Sequence, residues 1–329
     1  MQMGFQIMVI SYEVVLATCN GEKYILDQLD SIAAQTIQPE KLIVSDDLST
    51  DSTLSIIHSW SSSSSIEVQI LPPNAKRLGS CKNFERLLVA SSSEYVMLAD
   101  QDDIWASSKA EMLFSSLQSQ GYKDISNIPL LVHSDLSVVN SDIALIASSF
   151  FKYQNICPRR NHWLSIGIQN IVTGCASMVN RKCIQLALPF PSNVIMHDWW
   201  LALVASKIGF IIFTPISLVY YRQHSKNVIG AKGFIAQFKH RFIQLFQDGS
   251  FDQLITKPIL QIKDCHNRFP SGSQAYDVHI QNLTCSRSLI RLKSAFHLKL
   301  AKHGIIRTFV YYILLFRWQP PANGSINDT

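Results

Sequence analysis

The sequence predicts an α/β fold: a doubly wound, mostly parallel sheet over residues 1–232, followed by a basic helical region over 233–329. Three observations carry this. Short apolar runs alternate with segments whose apolar residues recur at helical spacing, the rhythm of strand–helix–strand units. Two of those runs end abruptly in carboxylates, at Asp46-Asp47 and at Asp100-Gln101-Asp102-Asp103, and open α/β sheets bind ligands at the carboxyl ends of their strands. The charge also divides: residues 1–232 hold 17 Lys/Arg against 19 Asp/Glu, whereas residues 233–329 hold 12 against 5.

Val14–Thr18 reads as a buried strand closed by the turn signal Cys19-Asn20-Gly21. Ile25, Leu29 and Ile32 then place an amphipathic helix within 22–35. Leu42–Val44 is a second short strand. The run Ser49-Thr50-Asp51-Ser52-Thr53 is rich in N-cap residues and opens a helix over 54–60. Ile66–Leu71 is a third strand, Asn83–Ala90 a helix, and Tyr95–Ala99 a fourth strand leading into the acidic cluster. Lys109–Gln118 reads as helix, Leu130–Asn140 and Ile171–Val179 as strands, His197–Ile208 as a helix and Phe210–Tyr221 as an extended apolar segment. Beyond Gly233 the pattern turns helical: Phe234–Phe246 interleaves aromatics with Lys239, His240 and Arg241, and 286–318 carries seven Lys/Arg and no acid. Ile305–Trp318 is apolar but interrupted by Arg307, and is shorter than the ~20 residues of a spanning helix. It suits either an interfacial amphipathic helix or a final helix packed on the domain with its basic face in water.

Charged residues make up 16% of the 329, below the ~25% of an average soluble chain, so the protein is globular but short of solvating charge. The basic second part fits an anionic membrane surface or a phosphate-rich acceptor. No helix-turn-helix, zinc-finger or RNA-binding signature is present, so nucleic acid is not an expected partner. Seven cysteines, odd in number and without a C-x-x-C pair, form neither a disulfide framework nor a zinc ribbon, which suggests a reducing cytoplasmic compartment.

Four places carry chemistry. Asp100, Asp102 and Asp103 put three carboxylates within four positions. Their mutual repulsion favours a hard divalent ion, Mg²⁺ or Mn²⁺, over a solvated loop. Asp46-Asp47 ends a strand on the same sheet edge and suits either helix capping or recognition of a nucleotide in the same crevice. Asp198, in the first turn of its helix, is either a partner of the helix dipole or a general base tuned by its aromatic neighbours. Tyr221-Arg222-Gln223-His224 is either a surface turn or a site where Arg222 binds diphosphate and His224 ligates metal.

Five motifs in order, Ala17-Thr18-Cys19-Asn20-Gly21, Ser45 to Asp51, Asp100 to Trp105, His197-Asp198-Trp199-Trp200 and Tyr221 to Asn227, resemble those of the family-two glycosyltransferases, within them the bacterial rhamnosyltransferase-like branch. The resemblance covers about residues 12–230. It implies a GT-A fold and a metal-dependent, inverting transfer of a sugar, with rhamnose a candidate, from a nucleoside-diphospho-sugar to a saccharide acceptor. Such enzymes build cell-surface polysaccharides on lipid-linked acceptors at the inner face of the plasma membrane. By the same resemblance Thr18, Asn20 and Asp47 line the nucleotide pocket, and Asp100 and Asp102 form the Asp-x-Asp element with Asp102 on the metal. Asp198 is the catalytic base, His224 a metal or diphosphate ligand, and Gly174 part of the loop beneath the donor sugar. Cys19 stands where Tyr is usual, and Leu48 where Gly is usual. Because a leucine resists positive φ, the turn after the second strand is expected to differ. The alternatives are a sugar-nucleotide nucleotidyltransferase, whose glycine-rich basic loop the first turn lacks, and a non-catalytic sugar-nucleotide-binding protein.

Overall fold

The computed structural model describes residues 11–121, 126–223 and 252–320. The first half is a run of parallel strands joined by helices: β1 (Tyr12–Thr18), α1 (Ile25–Ala33), β2 (Lys41–Asp46), α2 (Thr53–Ser61), β3 (Glu67–Ile70), α3 (Ser80–Ala90) and β4 (Tyr95–Asp100). The strands lie in the order β3-β2-β1-β4. Register aligns their polar ends, with Thr18 opposite Asp46 and Ala17 opposite Asp100. The two acidic strand ends therefore flank β1 at one rim of the sheet.

The second half continues with β5 (Ile104–Trp105), α4 (Lys109–Gln118), β6 (Leu130–Val139), β7 (Leu145–Ala147), α5 (Phe150–Gln154) and α6 (Trp163–Ile168). A 3₁₀ turn (Gly174–Ala176), β8 (Ser177–Asn180), α7 (Arg181–Ala187), α8 (His197–Ile208) and β9 (Phe210–Arg222) follow. The full path is β3-β2-β1-β4-β8-β6-β9-β5, with β7 beside β6. β8 runs antiparallel to both β4 and β6, and β5 antiparallel to β9, so the parallel half is extended by a mixed one.

Period-two alternation feeds two cores. Val15, Ile43, Val96 and Leu98 face α3 and α8 on one side, where Phe84, Leu87 and Trp200 are buried. Val14, Leu16, Leu42, Val44 and Met97 face α1 and α4 on the other. The last helices are α9 (Lys257–Arg268), α10 (Gln274–Asn282), α11 (Ser288–His297) and α12 (Ile305–Arg317). Their buried residues Ile259, Ile280, Ala295 and Leu315 join the first of these cores, so the basic helical region and the sheet share apolar packing. The aromatic and basic segment 234–246 lies outside the described residues.

Two expectations are corrected. Ile171–Val179 is not one strand: only Ser177–Asn180 pairs, and the residues before it form the 3₁₀ turn. The Asn170 side chain bonds both the amide and the carbonyl of Val172, which bends the chain inside an apolar run that periodicity alone cannot resolve. Leu48 does adopt positive φ, at 59°. The reason is polar pinning on either side of it. Asp46 accepts from the Ser49 amide at 2.7 Å and the Ser49 hydroxyl at 2.6 Å, and Arg77 donates to the Leu48 carbonyl at 3.2 Å. These bonds outweigh the local cost of a leucine there.

Candidate active site

The turns after β1 and β2 form one polar wall. The Thr18 hydroxyl donates to Asp46 Oδ1 at 2.7 Å. Asn20, itself at φ 52°, receives the Thr50 amide on its side-chain oxygen at 2.8 Å and donates its own amide to Ser49 Oγ at 2.7 Å. Asp47 is buried and accepts from the Leu78 and Gly79 amides at 2.7 and 2.9 Å, which ties this wall to the entry of α3. Gln101 then joins the wall to the acidic cluster. Its side-chain oxygen accepts from the Cys19 amide at 2.8 Å, and its side-chain nitrogen donates to the Cys19 carbonyl at 3.0 Å.

The acidic cluster sits where β4 ends. Oxygens of Asp100 and Asp103 and the Cys175 sulfur all lie within 4.8 Å of one another. Burial, then the charges of Asp102 and Asp198, push the Asp100 carboxyl up to about 7. Burial, then Asp102 and Asp100, raise Asp103 well above the carboxylate range. Asp103 is fully buried; its Oδ1 accepts from the Arg222 amide at 3.0 Å, while its Oδ2 has no hydrogen-bond partner among the described residues. Lys109 is equally buried beneath the cluster. Its ammonium nitrogen lies 3.1 Å from the Trp105 ring centroid and donates to the Cys175 carbonyl at 2.6 Å. Crowded carboxylates with an unpartnered buried oxygen fit a hard divalent cation. Burial, then the charges of Asp103 and Asp100, push the Cys175 thiol well above its ordinary range. A hard cation prefers the carboxylate oxygens to this sulfur.

Asp102 is half-buried and close enough for its charge to act on both Asp100 and Asp103, but it is not one of the three groups that meet. His224 lies outside the described residues. The Arg222 guanidinium is committed to protein: it pairs with Asp27 at 2.8 Å, donates to the Ser141 carbonyl at 3.1 Å and covers the Tyr24 ring at 4.4 Å. What Arg222 gives the cluster is its backbone amide.

Helix α8 carries Asp198 in its first turn. Its Oδ2 accepts from the Gly174 amide at 3.0 Å and its Oδ1 from the Trp199 amide at 2.6 Å. Removal from solvent raises its carboxyl to about 6, against these hydrogen bonds that lower it. His197 beside it stacks on Phe84 with ring centroids 3.7 Å apart, and burial pushes its imidazole down to about 3, so it is neutral. The Gly174 amide that Asp198 accepts belongs to the residue before Cys175, whose sulfur lies beside Asp100 and Asp103, so the chain brings Asp198 next to the acidic cluster.

A model of the family described as Glycosyl transferase family 2 matches residues 13–183. The chain belongs to glycosyltransferase family 2. A dTDP-rhamnosyl transferase, RfbG of Shigella flexneri, is 30% identical over 240 residues, covering 68% of this chain and 77% of that protein. An uncharacterized Mycobacterium tuberculosis protein, Rv1520, is 26% identical over 235 residues, and the chain spans 59% of its length. Among solved structures, Staphylococcus aureus TarS 1–349 in complex with UDP superposes with a TM-score of 0.50 at 15% identity, covering 93% of this chain and 90% of that one. The architecture of this glycosyltransferase is thus GT-A, and the family places sugar transfer above the nucleotidyltransferase alternative.

Sequence reasoning placed Asp103 in the acidic cluster but gave the metal to Asp102, whereas the groups that meet are Asp100, Asp103 and Cys175. It missed Lys109, Gln101 and Cys175 as parts of the site. The signal for Lys109 was its place one helical entry beyond an acidic cluster; nothing local marks Cys175, which tertiary folding delivers. Gly174, named through the resemblance as part of the loop beneath the donor sugar, donates its amide to Asp198. A Cβ there would lie 2.7 Å from His197 Nε2, and that ring is fixed by its stack on Phe84. Gly174→Ala in this glycosyltransferase is expected to push the turn away from Asp198, costing about 1–3 kcal/mol of stability and most of the turnover. Thermal melts paired with initial rates check this; unchanged values in both would show the turn to be slack.

Proposed function

We propose that the protein moves a sugar, with inversion at the anomeric carbon, from a nucleoside-diphosphate donor to a hydroxyl of a saccharide acceptor in polysaccharide synthesis. Rhamnose is the proposed sugar, on the strength of the relative named a dTDP-rhamnosyl transferase. A lipid-linked acceptor is proposed from the basic C-terminal region. What supports the reading is placement: Asp198 accepts from the amide of Gly174, the residue before Cys175, whose sulfur lies beside the crowded carboxylates Asp100 and Asp103.

The chemistry assigned to this chain's own residues is simple. Asp198 takes the proton from the acceptor hydroxyl, a poor nucleophile at neutral pH without such help. The freed oxygen attacks the anomeric carbon, and the nucleoside diphosphate leaves from the opposite face. The Gly174 and Trp199 amides hold the Asp198 carboxylate in place as it becomes protonated. Thr18, Asn20 and Asp47 are the proposed nucleotide wall. Asp100 and Asp103, with Asp102 at the rim and His224 as the resemblance implies, would hold Mg²⁺ or Mn²⁺. Such an ion supplies Lewis-acid neutralisation of the charge that grows on the leaving diphosphate.

A thermal-shift screen of dTDP-, UDP- and GDP-sugars with Mn²⁺ tests this. A ligand at a hundred times its Kd stabilises the native state by about 2.7 kcal/mol. dTDP-rhamnose is expected to give the largest rise, followed by release of dTDP when acceptor is added. Failure of every nucleotide sugar to raise the melting temperature would remove the proposal.

A further inference from the structure

The helix α12 carries an outward apolar face. Ile305, at 89% exposure, is joined by Ile306, Phe309, Ile313 and Phe316, all exposed. At about 100° per residue these five fall within an arc of about 100°, roughly opposite the buried Tyr311 and Leu315. The face continues onto α11, where exposed Phe296 stacks on Tyr312 with centroids 4.4 Å apart, and Leu289 lies two turns earlier on the same side.

Charge states what fits this face. Residues 286–320 contain no acidic side chain. Three of their basic groups are used internally: Arg291 donates to the Leu315 and Trp318 carbonyls, Arg307 to those of Gln154 and Asn155, and Lys302 to that of Ile168. Arg287, Lys293, Lys299 and Arg317 are exposed around the apolar strip. A second copy of the chain would bring like charges together. No helix among the described residues is long and apolar enough to cross a membrane. We infer that α11 and α12 dock on an anionic lipid bilayer, with Ile305, Phe309 and Phe316 entering the acyl boundary while Lys293, Lys299 and Arg317 meet lipid phosphates. The helix of 13 residues lies in the plane of the interface. This goes beyond the sugar-transfer reading, and its test needs no turnover.

Flotation of the full chain with phosphatidylglycerol/phosphatidylcholine vesicles, against phosphatidylcholine alone, reads it out. The wild type is expected to float with the anionic vesicles and to be released by salt. Ile305→Ser/Phe309→Ser/Phe316→Ser and, separately, Lys293→Glu/Lys299→Glu/Arg317→Glu are each expected to cut the bound fraction by about tenfold or more, because both signals are needed for stable attachment. Ile305→Asp alone, at the most exposed position, guards against a folding defect in the triple variants. Wild type that stays with the soluble fraction, or apolar variants that float as well as it does, would overturn the inference. So would a wild-type dimer in sedimentation that the serine variant lacks, since a second copy would then be the occupant.

Discussion

Asp198→Asn is expected to lower turnover by about 10²–10⁴-fold while leaving donor affinity unchanged. The amide oxygen of an asparagine can accept from only one of the Gly174 and Trp199 amides, so one anchor is lost with the base and a thermal melt reads that part separately. What is lost to catalysis is the ability to take a proton. The pH profile gives an independent readout. Because the carboxyl sits at about 6, it is protonated below that pH and idle as a base. kcat/KM is therefore expected to rise about tenfold per pH unit on the acid side and to flatten above about 6. An acid limb near the ordinary aspartate value of about 3.9 would mean that the cleft does not enclose the group. An asparagine variant keeping a tenth or so of the wild-type rate would move the base elsewhere.

Chelation is expected to have an effect of similar size. Asp100 and Asp103 are pushed toward protonation by burial and then by the charge of Asp102, with Asp198 adding to the first and Asp100 to the second, and Lys109 offsets this only in part at Asp100. A site so arranged would release free energy on taking up a divalent cation, and losing that ion would remove several kcal/mol of stabilisation from the departing diphosphate. EDTA is expected to reduce the rate about a thousandfold, with Mn²⁺ or Mg²⁺ restoring it. Paramagnetic resonance of free Mn²⁺ separates the ligands without turnover: Asp100→Ala and Asp102→Ala are both expected to weaken uptake, whereas Cys175→Ser, which replaces a soft sulfur with an oxygen, is expected to matter little. Full activity in chelator would assign the cluster a purely structural role.

Much of the parallel half was legible because its periodicity is unambiguous. Val14 to Leu16 and Leu42 to Val44 are too short for helices and are flanked by turn residues, and the strands formed where those runs lie. The rim location of Asp46 and Asp100 followed from the strand ends alone. The 3₁₀ turn before β8 was not legible, because an apolar run looks the same whether it pairs or bends; the bend is set by Asn170. Leu48 was misjudged because local propensity says nothing of the hydrogen bonds that Asp46, Ser49 and Arg77 bring from around it. In the site, Asp198 was visible at a helix entry, while Cys175 and the inward commitment of Arg222 depend on contacts far apart in sequence, such as the pair with Asp27.

The pair of hydrogen bonds between Gln101 and the Cys19 peptide treats a side chain as if it were a neighbouring strand. It leaves no room for a Cβ at Gly21, whose added carbon would collide with the Gln101 amide. On the proposed roles, choice of base and speed of reaction would be inherited together. Whatever tilted the first loop to admit a different nucleotide would also tilt the carboxylates that follow Gln101. Engineering a new donor preference is thus better begun from the Thr50 side of the wall, where a change need not travel through that clasp.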